Sequence, residues 1–527
     1  MFATLRDLFT LAHAGRVIAR HDGFLTPEQL AELPAPARLA LKVGKIGTRK
    51  PASTEAAPLA AAMRDLGPSY IKLGQFLATR ADLVGPANAA DLSGLQDRMA
   101  PFGMEEAKAE IAAQLGAPVE ELFIEFGPPV AAASIAQVHR AKIRDADGAV
   151  RDVAVKVLRP GIEQQFARDL ATFYSAARLI ERLHPPSRRL RFTDAVQTLD
   201  RSVTLEMDLR MEAAAMAEMT ANTARDPGFR VPFVDWQRTA RRVLTTEWID
   251  AIPLSQVERV REAGIDCEAL GDLVIQSFLR HAMRDGFFHA DMHPGNLFCD
   301  RDGNLVAVDF GIMGRLSPKE RRFLAEILYG FITRDYLRIS QVHFEAGYVP
   351  ATQDPAVFAQ ALRAIGEPIM DRTAEDISMA RLLTQLFQVT EQFDMKTQPQ
   401  LLLLQKTMVV VEGVARQLNP RLNMWTASEP VVRAWMEEKL GPQGRITDAA
   451  EGAVTLGRLA AQLPEVLSEA QRTAHMIASM AEGGGLRLDR ETTEAIAEAQ
   501  ARHSFWSRAA LWVGALALVA LALARIL

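Results

Sequence analysis

The spacing of apolar residues along this chain alternates between a helical and a strand-like period. Residues 1 to about 125 carry apolar positions three and four apart, punctuated at Gly67-Pro68 and Gly85-Pro86, and are expected to be helical. From about 126 to 160 the period falls to two. In "VAAASIAQVHRAKI", Val138, Arg140 and Lys142 alternate with His139, Ala141 and Ile143, and "AKIRDADGAVRDVAVKVL" is two such runs around Asp147-Gly148, a hairpin. Residues 161–225 return to helix, "RRVLTTEWIDAIPL" reads as a strand and connector, and 266–288 is helical again. Short strands and loops rich in polar residues occupy 289–314, and from Ser317 to about 500 the pattern is helical, broken by Pro, Gly and "AEGGGL". Within that stretch "LLLLQKTMVVVEGVARQL" is interrupted by Lys406 and Glu412, which makes it a buried core helix rather than a membrane span. No internal repeat is visible.

Composition narrows the picture. At 527 residues the chain exceeds one comfortable core, so one large or two intimate domains with appendages are expected. An apolar content of 49% and a charged content of 24% are those of a globular protein. The net charge of −5 and the lack of a basic tract with interleaved aromatics argue against nucleic-acid binding. Cys267 and Cys299 are too few for a disulfide framework and lack C-x-x-C spacing. They are expected to be buried small residues in a reducing compartment.

The two ends carry different signals. The first twenty residues hold no unbroken apolar core and no A-x-A site, so no secretory signal is expected. Leu5, Leu8, Phe9, Leu11 and Ala12 stand at helical spacing in a basic stretch, which suits either a helix lying on a membrane or an ordinary surface helix. The other end, "FWSRAALWVGALALVALALARIL", is uncharged from Ala509 to Ala524. That run spans about 24 Å as a helix against a hydrocarbon core of about 30 Å. Ile526 and Leu527 extend it if Arg525 snorkels, Trp506 and Trp512 suit the interfacial belt, and no polar face is present. A transmembrane tail anchor is expected, with the main body on the cytoplasmic side.

Candidate chemistry concentrates in two stretches. In "VAVKVLRPG", Lys156 sits among Val153, Ala154, Val155 and Val157. A lysine in an apolar strand costs desolvation unless an anion meets it, so it is either an edge lysine with a packed stem or a phosphate-binding group held by a carboxylate. "LEMDLRMEA" offers Glu206, Asp208 and Glu212, read as lying on one helix with Asp208 and Glu212 sharing a face. In "FFHADMHPGNLFCDRDGNLVAVDFGIMG", His289-x-Asp291 is followed by Asn296 and then by Asp309 at the head of Asp-Phe-Gly. Order and spacing match the protein-kinase set of a catalytic-loop Asp, a metal-binding Asn and a Mg²⁺-holding Asp. A zinc pair of His289 and His293 lacks a third ligand.

Kinase phosphate loops use glycine so that backbone N–H groups reach the phosphates. Here Ala131, Ala132, Ala133, Ser134, Ile135 and Ala136 occupy that place, flanked by Val130, Gln137 and Val138. Each alanine keeps an N–H, but its Cβ crowds and stiffens the loop, so a nucleotide is expected in a different pose from that in a fast kinase.

With these motifs and "SYIKLGQFLATR", which places Lys72 and Gln75 three apart on one helix face, residues of roughly 60–430 resemble the UbiB/ADCK-like atypical kinase family. The resemblance implies an α+β, bilobal kinase-like fold with a helical N-terminal extension and a helical C-terminal region. It implies boundaries at 1–60 (basic amphipathic region), 61–125 (extension with the K-x-G-Q motif), 126–250 (N-lobe), 251–430 (C-lobe), 431–504 (helical region and linker) and 505–527 (anchor). It implies that Glu206 and Asp208 engage Lys72, that Glu212 pairs with Lys156, and that the extension folds over the site where a protein substrate would dock. Ala136 stands where many members have Gly, and no A-P-E motif follows Asp309.

The expected activity is that of an ATP- (or ADP-) binding, Mg²⁺-dependent atypical kinase or ATPase supporting ubiquinone biosynthesis at the bacterial inner membrane. Lys156, Glu212 and the alanine loop hold nucleotide, Asn296 and Asp309 hold metal, and Asp291 is the candidate base. Membrane lipids, polyprenylated quinone precursors, other ubiquinone-biosynthesis proteins and a second copy of the chain are the expected partners. The competing readings are a protein or small-molecule kinase and a nucleotide-gated lipid-binding module. No flavin fingerprint, haem or iron site supports a hydroxylase.

Overall fold

The computed structural model describes residues 10, 13–18, 21 and 58–440, apart from 79, 96–98, 146, 184–189, 371–387, 390–391 and 396–398. Contacts divide the chain into Met1–Glu437 and Glu438–Leu527. The tail anchor, the linker over 441–504 and most of the first sixty residues lie outside the described residues, so those expectations stand untested. Among the described residues no helix is long and apolar enough to cross a membrane.

The extension opens with the helices α1 (Pro58–Leu66), α2 (Pro68–Ala78) and α3 (Pro86–Ser93), with a four-residue helical turn at Ala81–Val84 between the last two. They bury Leu59, Met63, Ile71 and Leu92 in the main core. The described part of the first helix, 13–18, turns Ala14 and Val17 inward, and Ala14 joins that same core. Leu5, Leu8, Phe9, Leu11 and Ala12, on which the choice between a membrane-lying and a surface helix rests, lie outside the described residues.

The N-lobe is a four-stranded antiparallel sheet in the order β1 (Glu125–Ala132), β2 (Ala136–Arg144), β3 (Val150–Leu158), β5 (Val243–Glu247). The two-residue alternation decides its faces. Ala141, Ile143, Val153, Val155, Val157 and Val243 point to one side, where Ile111 of α4 (Met104–Leu115) closes a second core. Full burial of each Val or Ile side chain among them contributes about 1.5–3 kcal/mol. Helices α5 (Ile162–Leu183), α6 (Phe192–Glu206) and α7 (Leu209–Thr223) follow β3.

Glu206, Asp208 and Glu212 do not lie on one helix. Glu206 ends α6, Met207 caps it, and Asp208 is the N-cap of α7, its carboxylate accepting from Arg210 N–H at 3.2 Å. An Asp side chain that can satisfy the first orphan amides of a new helix favours a break over continuation.

After β4 (Phe229–Arg230) and β6 (Ile252–Pro253), the C-lobe centres on α8 (Cys267–Arg280). Strands β7 (Phe287–His289), β8 (Leu297–Cys299), β9 (Leu305–Ala307) and β10 (Met313–Arg315) make two small sheets, β10-β7 and β4-β9-β8-β6. The helical expectation for 266–288 therefore stops early, because Phe287–His289 pairs with β10. Helices α9 (Pro318–Ile332), α10 (Tyr336–Glu345), α11 (Pro355–Met370), α12 (Pro399–Leu418) and α13 (Met424–Leu440) complete the body. Ser317 and Glu320 start α9 with a reciprocal capping box. The expected boundary at 430 falls inside α13, which runs on through Pro430. As expected, α12 is a core helix: Leu404, Val411, Val414 and Leu418 are buried. Cys299 is buried, whereas Cys267 is only half-buried at the start of α8.

Candidate active site

In-register neighbours of an antiparallel sheet share a face, and Lys156 stands opposite Val138 on β2 and Leu244 on β5. Its Nζ donates to both carboxylate oxygens of Glu212, at 3.0 and 2.9 Å, and to Asp309 Oδ1 at 3.1 Å. One ammonium is thus shared by a strand of the sheet, the helix α7 and the Asp-Phe-Gly turn. Burial works against the Lys156 charge, but the charges of Asp309 and Glu212 outweigh it and hold its pKa above the ordinary lysine range. Burial pushes the Glu212 carboxyl up, partly offset by Lys156. The Lys156 charge holds Asp309 down at about 2 against the effect of burial. The Asp309 side chain remains half-exposed, so the carboxylate is both ionised and reachable.

Asp309 has φ = +59°, a sparsely populated conformation for a residue with a Cβ. A Cβ on Gly311 would stand 3.3 Å from Asp309 Oδ1, so the glycine lets that carboxylate fold back over its own turn. Phe310 is buried with its ring centroid 5.0 Å from that of His289.

The His289 ring ties the two halves of the segment. Its Nε2–H donates to Val308 O at 3.0 Å, and Nδ1 accepts from Asp291 N–H at 3.1 Å. Both nitrogens are engaged and burial lowers the pKa, so the ring is a neutral brace and not a zinc ligand. Asn296 Nδ2 donates to the backbone and to Oδ2 of Asp291, both at 3.1 Å. Val308 N–H to Asn296 O at 2.9 Å and Ala290 N–H to Ile312 O at 3.0 Å complete the stitching. Asp291, Asn296 and Asp309, separate in sequence, are brought to one place as expected.

The alanine loop departs from expectation. Ala133 N–H is not open to a phosphate: it donates to Ala136 O at 2.7 Å across the turn between β1 and β2. Ser134, Ile135 and Ala136 are buried, whereas Val130 is exposed on β1. Gln137 points to the sheet face away from Lys156, where it stands opposite Val157. Its amide accepts from Phe102 N–H at 2.9 Å and meets His139 Nε2 at 2.9 Å. Gln137 is therefore a brace for the chain ahead of β1 and not a nucleotide contact, because the strand's period of two sends neighbours 137 and 138 to opposite faces. Val138, half-buried on the Lys156 face, keeps its place in the site, with Ala131 as its partner on β1.

The extension meets the site through Lys72. Its Nζ lies 2.7 Å from Glu206 Oε2, both side chains being nearly buried. The expected E-x-D partnership is divided: Asp208 is held by Arg210, at 2.9 and 2.6 Å, and its pKa is lowered chiefly by that contact. Gln75 follows one turn after Lys72 on α2, half-buried. Between them, a Cβ on Gly74 would stand 2.6 Å from Leu95 Cδ1 and 3.2 Å from Met63 Cγ. Glycine is needed there because α2 packs directly against its neighbours.

Several contacts were not legible in the motifs. Buried Thr407 of α12 donates to Ala290 O at 3.1 Å, bracing the residue beside Asp291, and also lies 2.8 Å from Leu403 O. Trp435 of α13 donates to Met283 O at 3.0 Å. Arg159, just past β3, holds the alanine loop by its carbonyls. A hydroxyl, an indole and a guanidinium give no periodic signal; only Arg159, three residues from Lys156 in the quoted "VAVKVLRPG", lay near a stretch already singled out.

Residues 94–343 match the ABC1 atypical kinase-like domain, and residues 362–423 match the UbiB helical domain. The chain is 38% identical over 457 residues to a probable protein kinase UbiB of Marinobacter nauticus, spanning 86% of this chain and 82% of that protein. It is 37% identical over 488 residues to a probable protein kinase UbiB of Xanthomonas campestris pv. campestris, spanning 90% and 85%. A solved structure of Rv3197 from Mycobacterium tuberculosis, in complex with erythromycin, has the same fold at a TM-score of 0.51 and 24% identity, covering 75% of this chain and 97% of that one.

Proposed function

This chain belongs to the UbiB family of ABC1 atypical kinase-like proteins, and on that premise we propose that it binds MgATP and turns it over in support of ubiquinone biosynthesis at a membrane. The observation that carries the reading is the meeting of Lys156 with Glu212 and Asp309, beside Asn296 and Asp291. A hard divalent cation prefers oxygen donors, and a half-exposed ionised carboxylate with an amide oxygen nearby is such a set. Asp309 and Asn296 would hold Mg²⁺, which when bound neutralises phosphate charge. Lys156 would bind phosphate oxygens as a buried, obligately charged donor, and Glu212 keeps its ammonium in place. Val138 and Ala154, on the same sheet face as Lys156, would line the side of the base. Asp291, its oxygen fixed by Asn296, would accept a proton from the attacking hydroxyl or water.

Only residues 310–317 separate Asp309 from α9, and β10 returns three of them to β7. That leaves no long platform for an extended peptide, which favours water or a small phenolic acceptor over a protein one. Polyprenylated precursors and anionic lipids fit such a site if the C-terminal apolar run anchors the body to the inner membrane.

The test is ATP turnover by the purified full chain, with and without anionic liposomes and a phenolic polyprenyl analogue. Turnover stimulated by both is expected, and phosphate appearing on the analogue would identify the acceptor. Absence of MgATP binding and turnover under all conditions would sink the reading. Deleting Phe505–Leu527 is expected to release the protein from membranes with nucleotide binding intact; continued sedimentation with washed membranes would refute the anchor.

A further inference from the structure

Just ahead of the strand that leads to Asp291 the chain leaves regular helix. Helix α8 ends at Arg280, and His281–Asp285 form a single π turn, closed by Gly286 N–H donating to His281 O. A π turn takes up about one residue more than an α turn, and such turns recur at functional sites. Gly286 alone separates it from β7, which meets β10 in one register: Phe287 opposite Arg315, Phe288 opposite Gly314 and His289 opposite Met313.

That register decides where Asp291 stands. The Phe288 ring fills the space that a Cβ on Gly314 would need, 2.1 Å away. His289, on the other face, places its ring between Val308 O and Asp291 N–H. Side chains alternate along a strand, so a slip of one residue would exchange the two rings and release Asp291 N–H. Were the π turn to close into an α turn, the surplus residue would pass to β7 and impose that slip.

The turn is held open from outside. Met283 O accepts from the Trp435 indole N–H at 3.0 Å, and the next carbonyl, Arg284 O, accepts from Arg321 Nη1 at 2.6 Å. The Arg284 guanidinium meets the buried carboxylate of Asp226 at 2.5 and 3.0 Å and donates to Asn222 O, in the last turn of α7, at 2.9 Å. Gly286 has φ = +65°, and a Cβ there would stand 2.6 Å from Leu316 O and 2.8 Å from Arg321 Cδ, so glycine is needed where the turn meets the start of α9. Trp435 lies on α13, outside residues 94–343 and 362–423 that carry the family likeness.

We propose that the π turn at His281–Asp285 sets the register of β7 and so the place of Asp291, and that Trp435 and Arg321 are the positioning residues that keep it open. The proposal rests on the turnover reading above, in which Asp291 accepts the proton. Lys156, Glu212 and Asp309 stand on other segments, so the turn acts on the transfer step rather than on nucleotide affinity.

The experiment measures kcat and KM for MgATP turnover, Kd for MgADP by calorimetry, and thermal melting, on the full chain and its variants. Trp435→Phe keeps a ring and loses the N–H, and Arg321→Met keeps the stem and loses the guanidinium. Each is expected to lower kcat about fivefold, the factor that corresponds to one hydrogen bond of ordinary net strength. KM and Kd are expected to stay within about twofold. Arg321→Lys, which can still donate to Arg284 O, is expected to return to within about twofold of the wild-type kcat. Trp425→Phe, on the same helix but with its ring against Phe331, is expected to keep kcat within about twofold. A lowered melting temperature with wild-type kcat in Trp435→Phe and Arg321→Met would confine both contacts to stability and overturn the proposal. A raised Kd with kcat unchanged would also overturn it, since the turn would then serve nucleotide binding. So would an equal fall of kcat in Trp425→Phe, which would make general loosening of α13 the cause. Should Arg321→Met fail to fold, Trp435→Phe and its Trp425→Phe control decide. If the unmodified protein does not turn over MgATP, the functional reading falls and this inference with it. If it does and the variants match it, only the inference falls.

Discussion

The alanine loop of the N-lobe and the His289–Asp309 segment of the C-lobe approach the same site but are finished differently. In the loop the polar groups are spent within the protein: Ala133 N–H on Ala136 O, Ala132 O on Met99, Ala133 O on Arg159. In the C-lobe segment backbone groups are stitched together while the acidic side chains stay reachable, Asp309 half-exposed and Asp291 half-buried. The C-lobe thus offers ligands to whatever binds, and the N-lobe offers a preset shape. A loop of alanines suits that division, since a Cβ narrows the conformations that glycine would leave open.

The largest way to break the contrast is to remove the ligands. Lys156→Ala and Asp309→Asn are each expected to abolish the MgATP-induced rise in melting temperature, because phosphate or metal charge is then uncompensated. In Lys156→Ala, Glu212 is left buried and unpaired and is expected to take up a proton, which limits the usual cost of about 3–5 kcal/mol for breaking a buried pair. A wild-type thermal shift in both variants would refute the site.

A smaller change should follow from loosening the preset shape. Ala133→Gly frees a turn that the neighbours still hold, so nucleotide affinity is expected to change about two- to fivefold, the range set by the conformational freedom of one glycine. Intrinsic phosphate transfer, read as autophosphorylation, is expected to rise, and ubiquinone content of a complemented null strain to fall. Matching values in all three assays would mean that the alanines carry no functional weight.

On the C-lobe side, Thr407→Val removes the brace on Ala290 while keeping shape. It is expected to cost about 1–3 kcal/mol of stability and to lower kcat more than it raises KM, with Thr407→Ser restoring both. Equal values for Val and Ser variants would remove α12 from the account of the site.

The smallest effect is on the pH dependence of stability. Burial lowers the pKa of His139 and of His343, each ring keeping one hydrogen bond to a backbone carbonyl. A histidine held neutral in the fold binds its proton more readily when unfolded, so its stability contribution is complete above about pH 6.5 and is lost as pH falls below it. Asp309 works elsewhere: held down at about 2, it adds stability that is complete above the ordinary carboxylate range and is lost as pH falls from there through about 2. Melting temperature is therefore expected to fall modestly from pH 7 to pH 5 while MgATP binding is retained. Loss of binding with melting unchanged would place the titrating group in the site instead.

Motif order, the sheet hairpin and the core helices were legible in the sequence because each depends on spacing along a short stretch. A period of two fixes which of Val153, Lys156 and Val157 share a face, and the distance from Asp291 to Asn296 to Asp309 is set by one loop and one hairpin. The pairing of Lys156 with Glu212 was expected through family resemblance and is observed, although no local signal could have found it. What only the tertiary structure decided are contacts between remote segments. Asp208 ends up capping α7 beside Arg210, apart from the Lys72–Glu206 pair, because a helix break at Met207 turns its carboxylate toward orphan amides. Gln137 went to the far face, where Phe102 offered backbone partners. Thr407 and Arg159 found carbonyls that no periodicity marks. Apolar periodicity reports which face is buried; it does not report which buried polar group will meet which, since that depends on how separate segments dock.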